Sequence, residues 1–202
     1  MKAKNILFIL IGISIILSFS FLIFLFRAET QTQPLPILGQ VPDFHLYDSN
    51  GQEFNSSNLQ GKVWVADFIF TSCGGICLIM TKNMAQLQRS FQMMNDAHFV
   101  SFSVNPEDDS PAVLSGFAKK YNADTRNWHF LTGDQATIAA FTKSIGLVYE
   151  GVSDGMIGHN MQTLILSPAG TIHDLYQGSG WEVDKVYQAL LVLSNYQGKE
   201  AS

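Results

Sequence analysis

The hydrophobic pattern changes character twice along the 202-residue chain. It opens on an unbroken apolar run, NILFILIGISIILSFSFLIFLF from Asn5 to Phe26, relieved only by Asn5, one glycine and three serines. Ile6 to Phe26 is 21 residues, or about 32 Å as a helix, enough to cross a hydrocarbon layer. Lys2, Lys4 and the terminal amine precede it, and Arg27 and Glu29 follow. The excess of positive charge ahead of the run favours an N-terminus in the cytoplasm and the remainder outside. A cleaved signal peptide would have a shorter apolar region and small residues at its cleavage site; Phe26-Arg27-Ala28 offers none, and no cysteine follows to make a lipoprotein signal. Residues 1–27 therefore read as an uncleaved, single-pass membrane anchor. Residues 28–42, with Gln, Thr and three prolines, read as a tether.

From residue 43 the pattern becomes that of a folded domain, over 43–198. Residues 43–54 alternate around Asn50-Gly51, a hairpin signal. Lys62 to Phe70 (KVWVADFIF) is β-branched and aromatic throughout, as a strand covered on both faces would be. A turn over Thr71–Gly75 leads into a helix from about Ile76 to Met93, with Ile76, Met80, Met84 and Leu87 at helical spacing. His98–Val104 is a second strand. Pro111, capped by Ser110, opens a helix to about Tyr121. A short strand at Trp128–Leu131 and a helix at Gln135–Ser144 follow. Met161–Ser167 and Thr171–Tyr176 alternate around Pro168-Ala169-Gly170 as a second hairpin, and Trp181–Tyr196 is the last helix. This order predicts an α/β domain, a mixed central sheet flanked by helices.

Composition narrows the chemistry. Charged residues are only 14% of the chain, partly because the anchor is uncharged. Beyond residue 27, nine basic residues face seventeen acidic ones, a net charge of −8. No basic stripe is available for a nucleic acid. Two cysteines exclude a multi-disulfide scaffold and a four-cysteine zinc site. They stand as Cys73-Gly74-Gly75-Ile76-Cys77, where the first central strand turns into a helix. That is the thioredoxin-like placement, in which backbone N–H groups at a helix start favour a thiolate. The glycines allow a tight turn, and a first helical turn reaching back to Cys73 would set the sulfurs on one face. Such a pair can close into a disulfide or clamp one soft metal ion. Two thiolates favour Cu(I) or zinc, and one added imidazole makes a site suited to copper in either oxidation state.

Five histidines could supply that imidazole. His45, His98, His129 and His173 each read individually as surface or satisfied side chains. His159 differs, because Gly155-Met156-Ile157-Gly158-His159-Asn160 precedes a predicted strand, and in a thioredoxin-like fold that loop faces the cysteines.

Val63 to Cys73 (VWVADFIFTSC), then Cys77, Met80-Thr81 and Asn83-Met84, resemble the Sco/SenC copper-binding proteins. So does Ser103-Val104-Asn105-Pro106-Glu107-Asp108-Asp109-Ser110-Pro111, which matches that family's S-V-D-P-x-x-D-(S/T)-P signature except for Asn105. Trp128, Gly158-His159 and Pro168-Ala169-Gly170 complete the resemblance, which covers roughly residues 40–195. It implies a thioredoxin-like fold, one copper ion, as Cu(I) or Cu(II), held by Cys73, Cys77 and His159, and a role in assembling the CuA centre of cytochrome c oxidase. The implied partner is the copper-receiving oxidase subunit, with other copper or thiol-redox proteins possible. The implied location is the inner (cytoplasmic) membrane, with the domain on the periplasmic or extracytoplasmic side. Where the family often carries proline beside its cysteines, this chain has Gly74 and Leu78.

The reading that results is a membrane-anchored copper chaperone whose chemistry is ligand exchange rather than turnover. The alternative is a thiol-disulfide oxidoreductase that keeps a target's copper-ligand cysteines reduced, with Cys73 and Cys77 as its redox pair. Asp67, six residues before Cys73, has the offset of the buried strand aspartate of thioredoxins; a hydrogen-bonded structural carboxylate is favoured over a proton acceptor. Met161 stands where thioredoxins carry their cis-proline, whose absence suits a metal site better than general disulfide exchange. Met80 and Met84 read as core, and Asp108, Asp109 and Asp154 as solvated loop charges.

Overall fold

The computed structural model describes residues 12–14, 17–21, 35–91, 97–146, 152–153, 156–157 and 162–200. The chain divides into two compact units, residues 1–34 and 35–202. In the first, residues 12–14 and 17–21 are helical, with Ile13, Leu17, Phe19 and Phe21 exposed. Among the described residues no helix is long and apolar enough to cross a membrane; the rest of the predicted anchor lies outside them.

The second unit is built on an eight-stranded mixed sheet. Its central strand β4 (Val63–Ile69) is buried at every position, as its almost wholly apolar sequence requires. The strands before it are β1 (Gly39–Gln40), β2 (His45–Asp48) and β3 (Glu53–Asn55); those after it are β5 (Ala97–Ser103), β6 (Trp128–Thr132), β7 (Val152–Ser153), β8 (Met156–Ile157), β9 (Gln162–Leu166) and β10 (Thr171–Gln177). The order across the sheet is β1-β10-β9-β4-β5-β6-β2-β3, with β7 and β8 forming a separate two-stranded pair. β4, β5 and β6 run parallel, while β9 lies antiparallel to β4, with Asp67 opposite Thr163. The β9–β10 and β2–β3 hairpins form at the predicted turns. In the β2–β3 turn Gly51 takes φ +76°, and the Asp48 carboxylate accepts the Asn50 and Gln52 backbone N–H groups at 2.8 and 2.9 Å.

Among the described residues four α-helices complete the unit: α1 (Ile76–Ser90), α2 (Pro111–Lys120), α3 (Gln135–Ser144) and α4 (Val183–Glu200). One face of the sheet packs on Leu87 of α1, Leu114 and Phe117 of α2, and Val186 and Leu190 of α4. The other face packs on Phe141 of α3 and on Leu46 and Phe54 of the β2–β3 hairpin, with Phe141 meeting Phe102 at 4.7 Å between ring centroids. Residues 35–42, part of the predicted tether, lie along this unit. Gly39–Gln40 adds an edge strand to β10, and His173 Nδ1 lies 2.8 Å from the Pro36 carbonyl oxygen. Their sequence shows no strand alternation; what holds them is the row of hydrogen-bonding groups on β10.

Candidate metal centre

The two thiols meet where β4 leaves the sheet. The backbone turns over Phe70–Cys73, with the Cys73 N–H donating to the Phe70 carbonyl at 3.2 Å. α1 begins at Ile76, as the sequence predicts, so its first turn does not reach back to Cys73, which sits ahead of the helix. Gly74 and Gly75 form the link. Neither has a positive φ, and an added Cβ at either would meet nothing within 4 Å. Cys73 is half-buried against the core, Cys77 is fully buried, and neither is in a disulfide. Burial pushes the Cys77 thiol far above its ordinary range, and a hydrogen bond with the adjoining Cys73 thiol adds to the shift. Ile76 and Ile79 are exposed beside the pair; helical spacing had grouped Ile76 with the core.

The loop after β5 grips this turn. Asp109, expected to be a solvated loop charge, is fully buried and accepts hydrogen bonds from Thr71 and Ser103. Its neighbour Asp108 is exposed and accepts the Asn105 side-chain amide at 2.9 Å. Asn105, the departure from the family signature, thus supplies a donor where an aspartate would set a second carboxylate. Tyr121 follows α2, and burial raises its hydroxyl pKa.

Asp67 lies on β4 under the opposite face. Its Oδ1 accepts Ser101 Oγ at 2.5 Å, and Ser101 Oγ in turn accepts the Trp128 indole N–H at 2.9 Å. Among the described residues Oδ2 is buried without a partner, as is the hydroxyl of Thr163, which stands opposite on β9. Burial raises the Asp67 pKa to about 7. The structural carboxylate favoured from sequence is half satisfied.

The methionines Met80 and Met84 are core residues with no exposure. His45 lies 3.4 Å from Glu53 on the exposed hairpin. His98 and His129, 31 residues apart in sequence, pair through Nδ1 and Nε2 at 2.8 Å. Among the described residues no three His, Cys, Asp or Glu side chains come together as a metal-binding group. His159, Met161 and Asp154 lie outside the described residues.

Residues 35–193 match the SCO1/SenC family. The SCO1 protein homolog of Bacillus subtilis is 36% identical over 147 residues, 71% of this chain and 76% of that protein. The crystal structure of a SCO1/SenC family lipoprotein from Bacillus anthracis superposes with a TM-score of 0.73 at 32% identity, covering 78% of this chain and 97% of that one. BsSco, a member of the Sco family of cytochrome c oxidase assembly proteins in which a disulfide switch has been identified, superposes with a TM-score of 0.72 at 32% identity, over 81% and 99% of the two chains. The fold is shared too with copper-bound ScoI of Arabidopsis thaliana, at a TM-score of 0.68, 24% identity, and 79% and 99% coverage. With its thiol pair at the end of the central strand and most of its length matched, this chain belongs to the SCO1/SenC family.

Proposed function

We propose that the chain is a membrane-anchored copper chaperone that holds one copper ion between Cys73, Cys77 and His159 and delivers it during assembly of the CuA centre of cytochrome c oxidase. The observation that carries this reading is the pair of free, adjoining thiols on a SCO1/SenC chain, one half-exposed and one buried. Two soft sulfur donors suit Cu(I). The half-exposed Cys73 gives an incoming ligand a point of attack, as metal transfer by ligand exchange needs. His159 is three residues before Gln162, so their Cα atoms lie within about 11 Å of each other. Gln162 opens β9 at the end of the sheet from which Cys73 departs, since β9 runs antiparallel to β4. That position supports His159 as the third donor. Residues 1–27 would anchor the chain in the cytoplasmic membrane with the domain on the periplasmic side. The acidic surface of that domain suits a partner with a positive face, such as an oxidase subunit or another copper or thiol-redox protein.

The test is titration of the reduced full chain in detergent with copper, followed by thiolate-to-copper absorption. The expected result is about one copper per chain, as a two-thiolate, one-imidazole site would take, with affinity lowered in His159→Ala and lost in Cys73→Ser and Cys77→Ser. Absence of binding at micromolar copper, or unchanged binding by His159→Ala, refutes the reading.

A second reading draws on the same asymmetry. The half-exposed Cys73 and buried Cys77 have the arrangement of an attacking and a resolving thiol, which would let the chain reduce the cysteines of its target. Exchange with a model disulfide would then survive His159→Ala and be lost in Cys73→Ser.

A further inference from the structure

The geometry of the thiol pair depends on how Cys73 is held, because Cys77 is already fixed as the buried residue in the first turn of α1. The link between them does little of this: Gly74 and Gly75 have open space where a Cβ would stand, and the link is tied to α1 through the Gly75 carbonyl, which accepts the Leu78 N–H at 3.1 Å. Cys73 packs against the core and is held on its other side by the Phe70–Cys73 turn.

One side chain grips that turn. The Thr71 backbone N–H lies 3.2 Å from each oxygen of the Asp109 carboxylate, and the Thr71 hydroxyl donates to Asp109 Oδ1 at 2.5 Å. The other oxygen accepts Ser103 Oγ at 2.6 Å, from the last residue of β5. Asp109 is itself fixed: its N–H donates to the Asn105 carbonyl at 3.0 Å, and the next residue, Ser110, caps α2. Among the described residues no ion pair reaches this fully buried carboxylate, so its charge is met by hydrogen bonds alone. A buried carboxylate held this way has a strong preference for one geometry of its donors. Two of the donor groups belong to Thr71, two residues before Cys73.

We propose that Asp109 is the positioning residue of the thiol pair: acting through Thr71, its buried carboxylate sets Cys73 against Cys77, and so sets both the metal affinity of the pair and its tendency to close into a disulfide. The metal half of this statement rests on the copper reading above; the disulfide half does not. Closure by glutathione disulfide forms the Cys73–Cys77 S–S bond and breaks that of glutathione. The two protein thiols give up two electrons, and their two protons end on the two glutathione thiols.

The experiment uses the full chain in detergent and three variants. Thr71→Val keeps the turn's N–H but removes the hydroxyl. Asp109→Asn removes the charge. Ser103→Ala deletes a bond to the same carboxylate on the side away from the cysteines. Each is measured for denaturant stability, for its disulfide equilibrium in glutathione buffers, and for Cu(I) affinity by competition with a chromophoric chelator. The expected result is that Thr71→Val and Asp109→Asn lower the disulfide equilibrium constant about tenfold, about 30 mV for a two-electron couple. Cu(I) affinity should fall by about 10- to 100-fold, as when an outer partner of a metal ligand is lost. Ser103→Ala should lose stability while leaving both site readouts within about twofold. Equal shifts in Thr71→Val and Ser103→Ala, or a disulfide equilibrium unmoved in Thr71→Val, overturn the proposal. Should Asp109→Asn fail to fold, Thr71→Val against Ser103→Ala decides alone. Failure of the unmodified chain to bind Cu(I) would refute the copper reading, while the glutathione equilibrium would still decide the role of Asp109.

Discussion

Replacing Asp67 with asparagine should stabilise the protein, and by an amount that grows with pH. Asp67 has no exposure, one oxygen without a partner among the described residues, and a pKa raised from 3.8 to about 7, chiefly by burial. The folded chain therefore holds this proton about 4 kcal/mol more tightly than the unfolded chain does. The sign is the reverse of that for a salt-bridged carboxylate. Near pH 4 the side chain is mostly protonated in the folded state and about half so in the unfolded state, and the penalty is below about 1 kcal/mol. As pH rises to 7 the unfolded chain sheds the proton freely while the folded chain must ionise a desolvated group. Stability is lost at up to about 1.4 kcal/mol per pH unit, and the loss levels off above the folded pKa at about 4 kcal/mol. Asparagine carries no proton to lose. Its oxygen can still accept the Ser101 hydroxyl, and Thr163 stands opposite on the β4–β9 ladder. Urea unfolding of both chains at pH 5, 6, 7 and 8 isolates the effect, because every other titrating group is common to the two. The advantage of Asp67→Asn should widen by about 2–3 kcal/mol between pH 5 and pH 8. A difference constant to within about 0.5 kcal/mol would mean that Asp67 stays ionised in the folded chain and that the burial argument fails.

Three further outcomes follow from single observations. His98 and His129 are each drawn down to about 4 by burial, His129 also by the charge of His98. The stability they give is complete above the unfolded value of 6.5 and is lost as pH falls through about 4, so an acid titration followed by fluorescence should show a shallower loss in His129→Gln. Asn105→Asp removes the 2.9 Å amide bond to Asp108 and sets two carboxylates together; urea unfolding should show a loss of about 1 kcal/mol at pH 7, recovered near pH 3. Gly170 takes φ +79° in the β9–β10 turn, and an added Cβ would come within 3.1 Å of Gln40 Nε2; Gly170→Ala should cost about 1 kcal/mol or more in thermal unfolding.

The central elements were legible because each carries its burial in its own residues. β4 is apolar at almost every position, which only a strand covered on both faces tolerates, and it is buried throughout. α2 announces itself by Ser110 and Pro111, a cap and a first-turn proline, and begins at Pro111. The elements that went unread take their stability from a partner. β1 is two residues whose only reason to be extended is the edge of β10 beside them. Ile76 obeyed helical spacing with Met80 and Met84 yet stands exposed, as the first residue of α1.

The site divides along the same line. Cys73 and Cys77 were visible because their spacing is local and their residue type is rare. The Asp109 clamp was not, because nothing in Glu107-Asp108-Asp109 distinguishes one acid from the next. Burial separates them by geometry: Asp108 faces water and Asp109 turns inward onto Thr71, 38 residues earlier in the chain. A buried carboxylate needs several donors, and here they come from two segments: the turn before Cys73 and the end of β5. No short window of sequence contains Thr71 and Asp109 together. The same holds for the Asp67–Ser101–Trp128 chain and the His98–His129 pair, each assembled from neighbouring strands by the parallel register of β4, β5 and β6. A local motif can thus name the atoms that meet a ligand, whereas the groups that fix those atoms are set by the order of strands in the sheet. Substitutions that leave both cysteines untouched, such as Thr71→Val, are therefore where the site should prove most sensitive beyond its own ligands.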